Sequence, residues 1–297
     1  MAGTDDARRA YAQQLVRDLG PGHEPAGLPQ RRMPEGAARR PIRDRLFDAF
    51  AATPREDFLG PPPWPLLRGG FTRQWTDDAR ELYQDVLVGL DVELGINNGQ
   101  PSLHARCLAA CDPRVRDTVL HVGAGTGYYS AIVAYLVGEH GRVIGYEIEA
   151  HLAARAAANL AALPQVSVRA ASGAEPPLPA CDVIYVNAGA THPVAAWLDA
   201  MRIGARLMFP LTADDGGGCM LLVTRRSERG YAAQALMRVA FIACIGARDT
   251  RQSDALRLAF AQRSEHSIRS LRRHGHADAS LWCAGPGWWL SSDEPVD

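Results

Sequence analysis

Residues 119–130 read VLHVGAGTGYYS, and the reading of this stretch decides the fold. An apolar run leads into Gly123, Gly125 and Gly127, and the apolar spacing of the YYSAIVAYLVG that follows is helical. Glycine adopts backbone angles closed to other residues and lets a ligand or a neighbouring helix approach closely. Strand, glycine turn and helix in that order open a nucleotide-binding βα unit. A glycine triplet alone is a weak signal; Glu147, twenty residues beyond Gly127 at the end of the next strand-like run, strengthens it.

The same alternation continues outward from the turn. GRVIGYEIE reads as a second strand, HLAARAAANLAAL as a second helix, and VSVRAA and CDVIYVNAG as further strands. A helix from about Pro193 to Met201 and the strands ARLMFPL and CMLLVTRR follow. Repeated strand-helix units need crossover helices, so the pattern predicts an α/β fold with a doubly wound, mostly parallel sheet. ALMRVAFIACIG and SLWCAGPGWWLS are compatible with closing strands. Upstream, DDARRAYAQQLVRDLG predicts a polar helix and PGHEPAGLPQRRMPEG a flexible connector. In PIRDRLFDAF, Pro41 precedes a helix with Ile42, Leu46, Phe47 and Phe50 on one face, and GPPPWP stops it. Four segments result: an N-terminal helix and connector (1–40), a helical cap on the substrate side (41–117), a nucleotide-binding core (118–230), and closing strands with a C-terminal extension (231–297).

Composition removes several function classes. The formal net charge is -1, so electrostatic attraction to nucleic acid or to an anionic membrane is not expected. The sequence contains no lysine, which excludes Schiff-base chemistry, a Walker-type phosphate lysine and the Tyr-Lys pair of short-chain dehydrogenases. The six cysteines form no C-x-x-C unit, and His266, His274 and His276 have no metal-binding neighbours in sequence, so no metal site is expected. The cysteines read as buried thiols of a cytoplasmic protein, and no segment reads as a membrane span.

Two cofactors suit the turn. An acid at the position of Glu147 accepts bonds from ribose hydroxyls in either case. The NAD fingerprint is G-x-G-x-x-G, whereas the third glycine here comes one residue sooner, which favours a nucleoside carrying an amino-acid tail in place of a pyrophosphate. S-adenosylmethionine has that form. VNAGA (186–190) has the Asn-Ala-Gly of short-chain dehydrogenases without the Tyr-x-x-x-Lys that must accompany it, so an NAD-dependent oxidoreductase is the weaker alternative.

The ordered set VLHVGAGTGYYSAIVAYL, GRVIGYEIEAHL, CDVIYVNAGATHPVAAWLDAM and IGARLMFPL resembles class I methyltransferases and, within them, the protein-L-isoaspartate O-methyltransferase family. The likeness covers roughly residues 42–225 and extends to DAFAATPREDFLGP and to Tyr83-Gln84-Asp85. It implies that Gly123, Ala124, Gly125 and Gly127 surround the methionine portion of S-adenosylmethionine and that Glu147 takes the ribose. The family's Gly-Asp-Gly falls on Ala171-Ser172-Gly173, where Ser172 lacks the carboxylate that would hold the adenine amino group. Asn187, after the D-x-I-x-V strand, is placed either to line the cofactor side or to satisfy exposed backbone groups there. The family's Gly-Gln-Thr-Ile-Ser entrance becomes INNGQPSLHARCL, residues 96–108.

The resemblance implies methyl transfer to a carboxylate of a protein or peptide, either an L-isoaspartyl residue or an aspartyl residue of a modified peptide. Such an acceptor is ionised near pH 7 and needs neither metal nor strong base, so catalysis lies in orientation and exclusion of water. Gln100 and Ser102 orient the acceptor, Ser102 also being placed to cap the helix SLHARCLAAC. His104 shapes the pocket or supplies a bond, and an entrance arginine helps hold an anionic peptide. With a hydroxyl or amine acceptor, His104 and Asp85 are the first candidates for a base. A noncatalytic peptide-binding protein on the same fold is the other alternative.

Overall fold

The computed structural model describes residues 2–19, 40–69, 72–273 and 276–296. The connector read at 21–36 and His274 lie outside the described residues. In chain order the elements are α1 (Ala2–Arg17), α2 (Ile42–Ala52), β1 (Trp64–Arg68), β2 (Thr72–Thr76), β3 (Leu87–Asp91), β4 (Ile96–Asn97) and α3 (Pro101–Cys111). Then come β5 (Thr118–Val122), α4 (Tyr128–Val137), β6 (Arg142–Glu147), α5 (Ala150–Asn159), β7 (Val166–Ala170), β8 (Cys181–Val186) and α6 (Ala195–Ala200). The chain ends with β9 (Met201–Thr212), β10 (Gly217–Arg225), β11 (Tyr231–Ala240), α7 (Thr250–Gln262), β12 (Ser270–Arg272), β13 (Leu281–Gly285) and β14 (Trp288–Ser291).

The chain divides into two compact units. The first comprises residues 1–117 and 124–171. In it α2 buries Ile42, Leu46, Ala49 and Phe50, the face expected from the spacing, while Phe47 is only half-buried beneath Arg9. The Tyr11 ring of α1 meets Phe50 and Tyr83 edge-on, joining the two helices to the loop ahead of β3. Residues 41–117, expected to be helical, also hold a four-stranded antiparallel sheet of order β2-β1-β3-β4. Its strands are short and set off by Pro61-Pro62-Pro63, Gly69 and Gly95, which leaves too little sequence for a period to declare itself. Trp64, Leu66, Leu82, Val86 and Val88 form its core with Leu59. α4 is apolar and buried around almost its whole circumference, as a central helix must be, and β6 and β7 run parallel beside α5.

The second unit comprises residues 118–123 and 172–297. Its strands follow the order β13-β14-β12-β11-β10-β9-β8-β5. β5, β8 and β9 are parallel, as the strand-helix alternation predicts. From β9 onward the strand pairings are antiparallel; β9 and β10 are joined by a short turn around Gly216 that leaves no room for a crossover. The doubly wound core therefore continues into an antiparallel extension. The closing strand expected in ALMRVAFIACIG ends at Ala240.

The extension is held by tryptophans. Trp288 and Trp289 are each 5 % exposed, so they pack and do not wall a cleft. Trp288 donates its indole N–H to Gln252 of α7 at 2.9 Å, Trp282 meets Phe260 edge-on, and the Arg272 guanidinium lies 4.8 Å from the Trp289 ring. Trp288→Phe keeps most of the packing and strands the Gln252 carbonyl. It is expected to cost about 1–3 kcal/mol in urea unfolding, with much of the loss recovered when Gln252→Leu is added. A Phe variant as stable as the parent would show that this bond holds nothing.

Candidate active site

The three glycines of the turn are left-handed: φ is 75° at Gly123, 55° at Gly125 and 98° at Gly127. A Cβ on Gly127 would lie 2.7 Å from the Leu160 side chain, so that position also keeps α4 close to the end of α5. Within the first unit, Ala124 donates its N–H to the Tyr146 carbonyl at 3.1 Å, and Gly127 donates to the Ala124 carbonyl at 3.0 Å. The Glu147 carboxylate accepts the Gly125 N–H at 2.7 Å and the Glu149 N–H at 3.0 Å. Turn and acid, which the sequence pairs only by spacing, are thus bonded to one another. Glu147 is 6 % exposed; burial raises its pKa, and the N–H groups of Glu149 and Gly125 oppose the rise. A carboxylate has about four acceptor positions, so capacity remains beyond these two bonds.

In the second unit Asn187 follows β8, and its backbone N–H donates to Val122 at 2.8 Å. Its Nδ2 lies 2.7 Å from Nε2 of His121. An amide nitrogen only donates, so Nε2 is the acceptor and the imidazole is neutral. Full burial agrees, pushing the His121 pKa down to about 3. This fixes the amide so that the buried Oδ1 of Asn187 faces away from His121, with no hydrogen-bond partner among the described residues. A Cβ on Gly123 would make only ordinary contact with the Asn187 backbone at 3.5 Å, so it is the φ of 75° that calls for glycine there. His121 was not among the expected site residues, although an imidazole inside VLHVG was the available signal. The Ser172 hydroxyl accepts the Ala174 N–H at 3.2 Å, and the Gly173 carbonyl accepts the Trp197 indole N–H at 2.7 Å.

On the acceptor side the organising group is Asp85. Its carboxylate receives the Gln100 side-chain N–H at 2.7 Å, the Ser102 hydroxyl at 2.7 Å and the Ser102 backbone N–H at 2.8 Å. Asp85 therefore caps α3 from across the fold, and Ser102 is not the capping side chain. His104 is 2 % exposed and stacks on Tyr129, ring centres 3.6 Å apart. Gly99, with φ 73°, passes so close that a Cβ would lie 2.0 Å from the imidazole. His104 thus supports the turn ahead of Gln100 from beneath.

Arg55, in the segment PREDF, holds this arrangement in place. Its guanidinium is wholly buried with no carboxylate bonded to it among the described residues; it donates to the carbonyls of Leu82, Gln84 and Val86, which flank Asp85, and to the Asn98 side chain. The rings of Tyr11 and Tyr128 each stand 6.0 Å from its central carbon and face its charge.

A strand entering a left-handed glycine turn, the acid of the next strand bonded to that turn, and parallel strands β5, β8 and β9 define a class I S-adenosylmethionine-dependent methyltransferase. The family model of protein-L-isoaspartate(D-aspartate) O-methyltransferase matches residues 36–249, and the chain belongs to that family. It is 31% identical over 226 residues to protein-L-isoaspartate O-methyltransferase 1 of Rhodopseudomonas palustris strain HaA2, covering 73% of this chain and 82% of the relative. It is 34% identical over 163 residues to the enzyme of Ignicoccus hospitalis, covering 52% of this chain and 77% of the relative. In fold it is similar to a solved protein-L-isoaspartate O-methyltransferase, with TM-score 0.59, 20% identity, and 84% of this chain and 69% of the other covered. A Plasmodium falciparum structure in complex with S-adenosyl-L-homocysteine also has TM-score 0.59, at 15% identity, covering 80% of this chain and 98% of the other. The protein is an S-adenosylmethionine-dependent carboxyl O-methyltransferase, and the hydride-transfer alternative is set aside.

Two measurements test the supports of this site. Arg55→Lys keeps the charge and loses the planar fork that spans three carbonyls, so urea unfolding is expected to show a loss of about 2 kcal/mol or more; an unchanged midpoint would refute the clamp. His121 is neutral when folded and titrates near 6.5 when unfolded, so acid favours the unfolded chain. The parent's stability relative to His121→Gln is therefore expected to fall as pH drops from 6.5 towards about 3. Parallel stability curves for the two proteins across that window would contradict a buried neutral imidazole.

Proposed function

We propose that this chain methylates a carboxylate within a protein or peptide, with an L-isoaspartyl residue as the first acceptor to try and an aspartyl residue of a modified peptide as the second. The bond between the Gly125 N–H and the Glu147 carboxylate carries the reading, because it builds the acceptor pair for a ribose onto the glycine turn. Within the first unit the residues fit the cofactor: the Glu147 carboxylate keeps spare acceptor capacity beside the Gly125 N–H that it accepts. Ser172, in the second unit, carries a hydroxyl where the family carries an acid. When bound, the sulfonium supplies an electrophilic methyl group.

The chain's own groups bind and orient. An acceptor carboxylate is already ionised near pH 7, so no base is required, and the enclosed His104 serves as a support. The Ser102 proton is committed to Asp85, which leaves the Ser102 oxygen to accept from a peptide N–H. Gln100 gives one amide proton to Asp85 and keeps its carbonyl and second proton for the peptide backbone. Gln100 and Ser102 therefore hold the peptide frame around the reacting carboxylate, and Arg55 fixes the strip of chain on which Asp85 sits.

Radiolabelled methyl transfer to isoaspartyl and aspartyl peptides tests the reaction. The expected product is labile to mild alkali, as a methyl ester is, and an alkali-stable product would overturn the carboxylate assignment. Glu147→Gln is expected to weaken S-adenosylhomocysteine binding about 10- to 100-fold by calorimetry, the loss of hydrogen bonds to a charged acceptor. Because burial raises the Glu147 pKa, affinity in the parent should fall on acidification earlier than an exposed glutamate would cause, and the Gln variant should lack that fall. Equal affinity in the two proteins at neutral pH would remove Glu147 from the site.

A further inference from the structure

We propose that the cavity beside Asp85 and Gln100 binds a second, non-reacting carboxylate of the peptide through Arg68, so that the preferred substrate is an acidic peptide segment; this rests on the peptide-methylation reading above. The cavity has a volume of about 500 Å³ and is lined by Arg68, Gln84, Asp85 and Gln100, with Leu67 and Leu87 among its apolar walls. Ligand pockets commonly measure about 300–1,000 Å³, so there is room for a peptide side chain and adjoining backbone. Asp85 and Gln100 also belong to the acceptor-side cluster, so a peptide held by Gln100 and Ser102 reaches this space with its neighbouring residues.

Arg68 is mounted to receive an anion. Its Nε donates to the Gln74 side-chain carbonyl at 3.2 Å and its Nη1 to that of Gln84 at 3.1 Å. Two neutral oxygens fix the plane of the guanidinium without cancelling its charge, and Arg68 has no ion pair among the described residues. Asp85 in the same cavity keeps its negative charge, but its carboxylate is turned to the Gln100 amide and the Ser102 hydroxyl and N–H. A planar guanidinium held in this way suits a carboxylate, which it meets in a charge-assisted, often bidentate, hydrogen bond.

The partner is not the carboxylate that is methylated. Esterification removes that group's charge, so an arginine bound to it would stabilise the reactant more than the transition state and slow the reaction. A flanking Asp or Glu keeps its charge throughout, and its attraction to Arg68 contributes to substrate binding without opposing the chemistry.

The test uses the full chain, parent and Arg68→Gln, with two fluorescein-labelled nonapeptides. Both carry a central L-isoaspartyl residue, and they differ only in having Glu or Gln at the two positions on either side. Fluorescence anisotropy in saturating S-adenosylhomocysteine is expected to show the parent binding the Glu peptide about tenfold more tightly, and Arg68→Gln binding both as weakly as the parent binds the Gln peptide. Equal binding of the two peptides by the parent, including no binding of either, or a Glu preference that survives Arg68→Gln, would overturn the proposal. Calorimetry with S-adenosylhomocysteine on the same two proteins separates the readings. Equal cofactor affinity is expected, whereas failure of the parent to bind it would refute the methyltransferase reading and leave the Glu-versus-Gln comparison, repeated without cofactor, to decide the role of Arg68.

Discussion

The 2.7 Å bond from the Gly125 N–H to the Glu147 carboxylate ties together two places 22 residues apart, and the architecture of the cofactor side follows from it. A left-handed turn with no side chain at its corners has no intrinsic reason to hold one shape. The carboxylate supplies that reason by engaging an N–H the turn leaves outward, while the Ala124 N–H secures the turn to β6 at Tyr146. Burial makes the bond stronger and the charge costlier, so Glu147 must be satisfied by N–H groups and by whatever hydroxyls a ligand brings.

A comparable device shapes the acceptor side from different chemistry. Arg55 is a buried cation satisfied by main-chain carbonyls and aromatic faces, which allows one side chain to gather the segment from Leu82 to Val86. Asp85 projects from that segment and caps α3, committing the Ser102 proton and one Gln100 proton. The polarity that Gln100 and Ser102 present is therefore set two steps away, by an arginine hydrogen-bonded to neither. His121 stands in a similar relation to Asn187: with the amide nitrogen turned to the ring, the Asn187 Oδ1 is the atom left over.

Residues 118–147 announce themselves in sequence because their signals are local: an apolar run, glycines at fixed spacing and an acid at a strand end. The antiparallel course of β10 to β14 does not, since strand periodicity is the same in either direction. β1 to β4 escape for want of length. Gln100 and Ser102 could be picked out from the residues around Pro101, but the bonds that define their roles come from Asp85, and no sequence period links position 85 to 102. His104 reads from the sequence as a pocket-shaping residue, but the close approach of Gly99 to its ring does not show there. Arg55 and His121 are single polar residues whose meaning depends wholly on what surrounds them.

The central claim is that the acid closing β6 receives the sugar of a sulfonium nucleoside seated on the glycine turn. A crystal structure of the chain with S-adenosylhomocysteine tests it most directly. The account requires both ribose hydroxyls within hydrogen-bond distance of the Glu147 carboxylate and the homocysteine portion against Gly123 to Gly127. A nucleoside bound elsewhere, or a ribose that leaves Glu147 untouched, would contradict it.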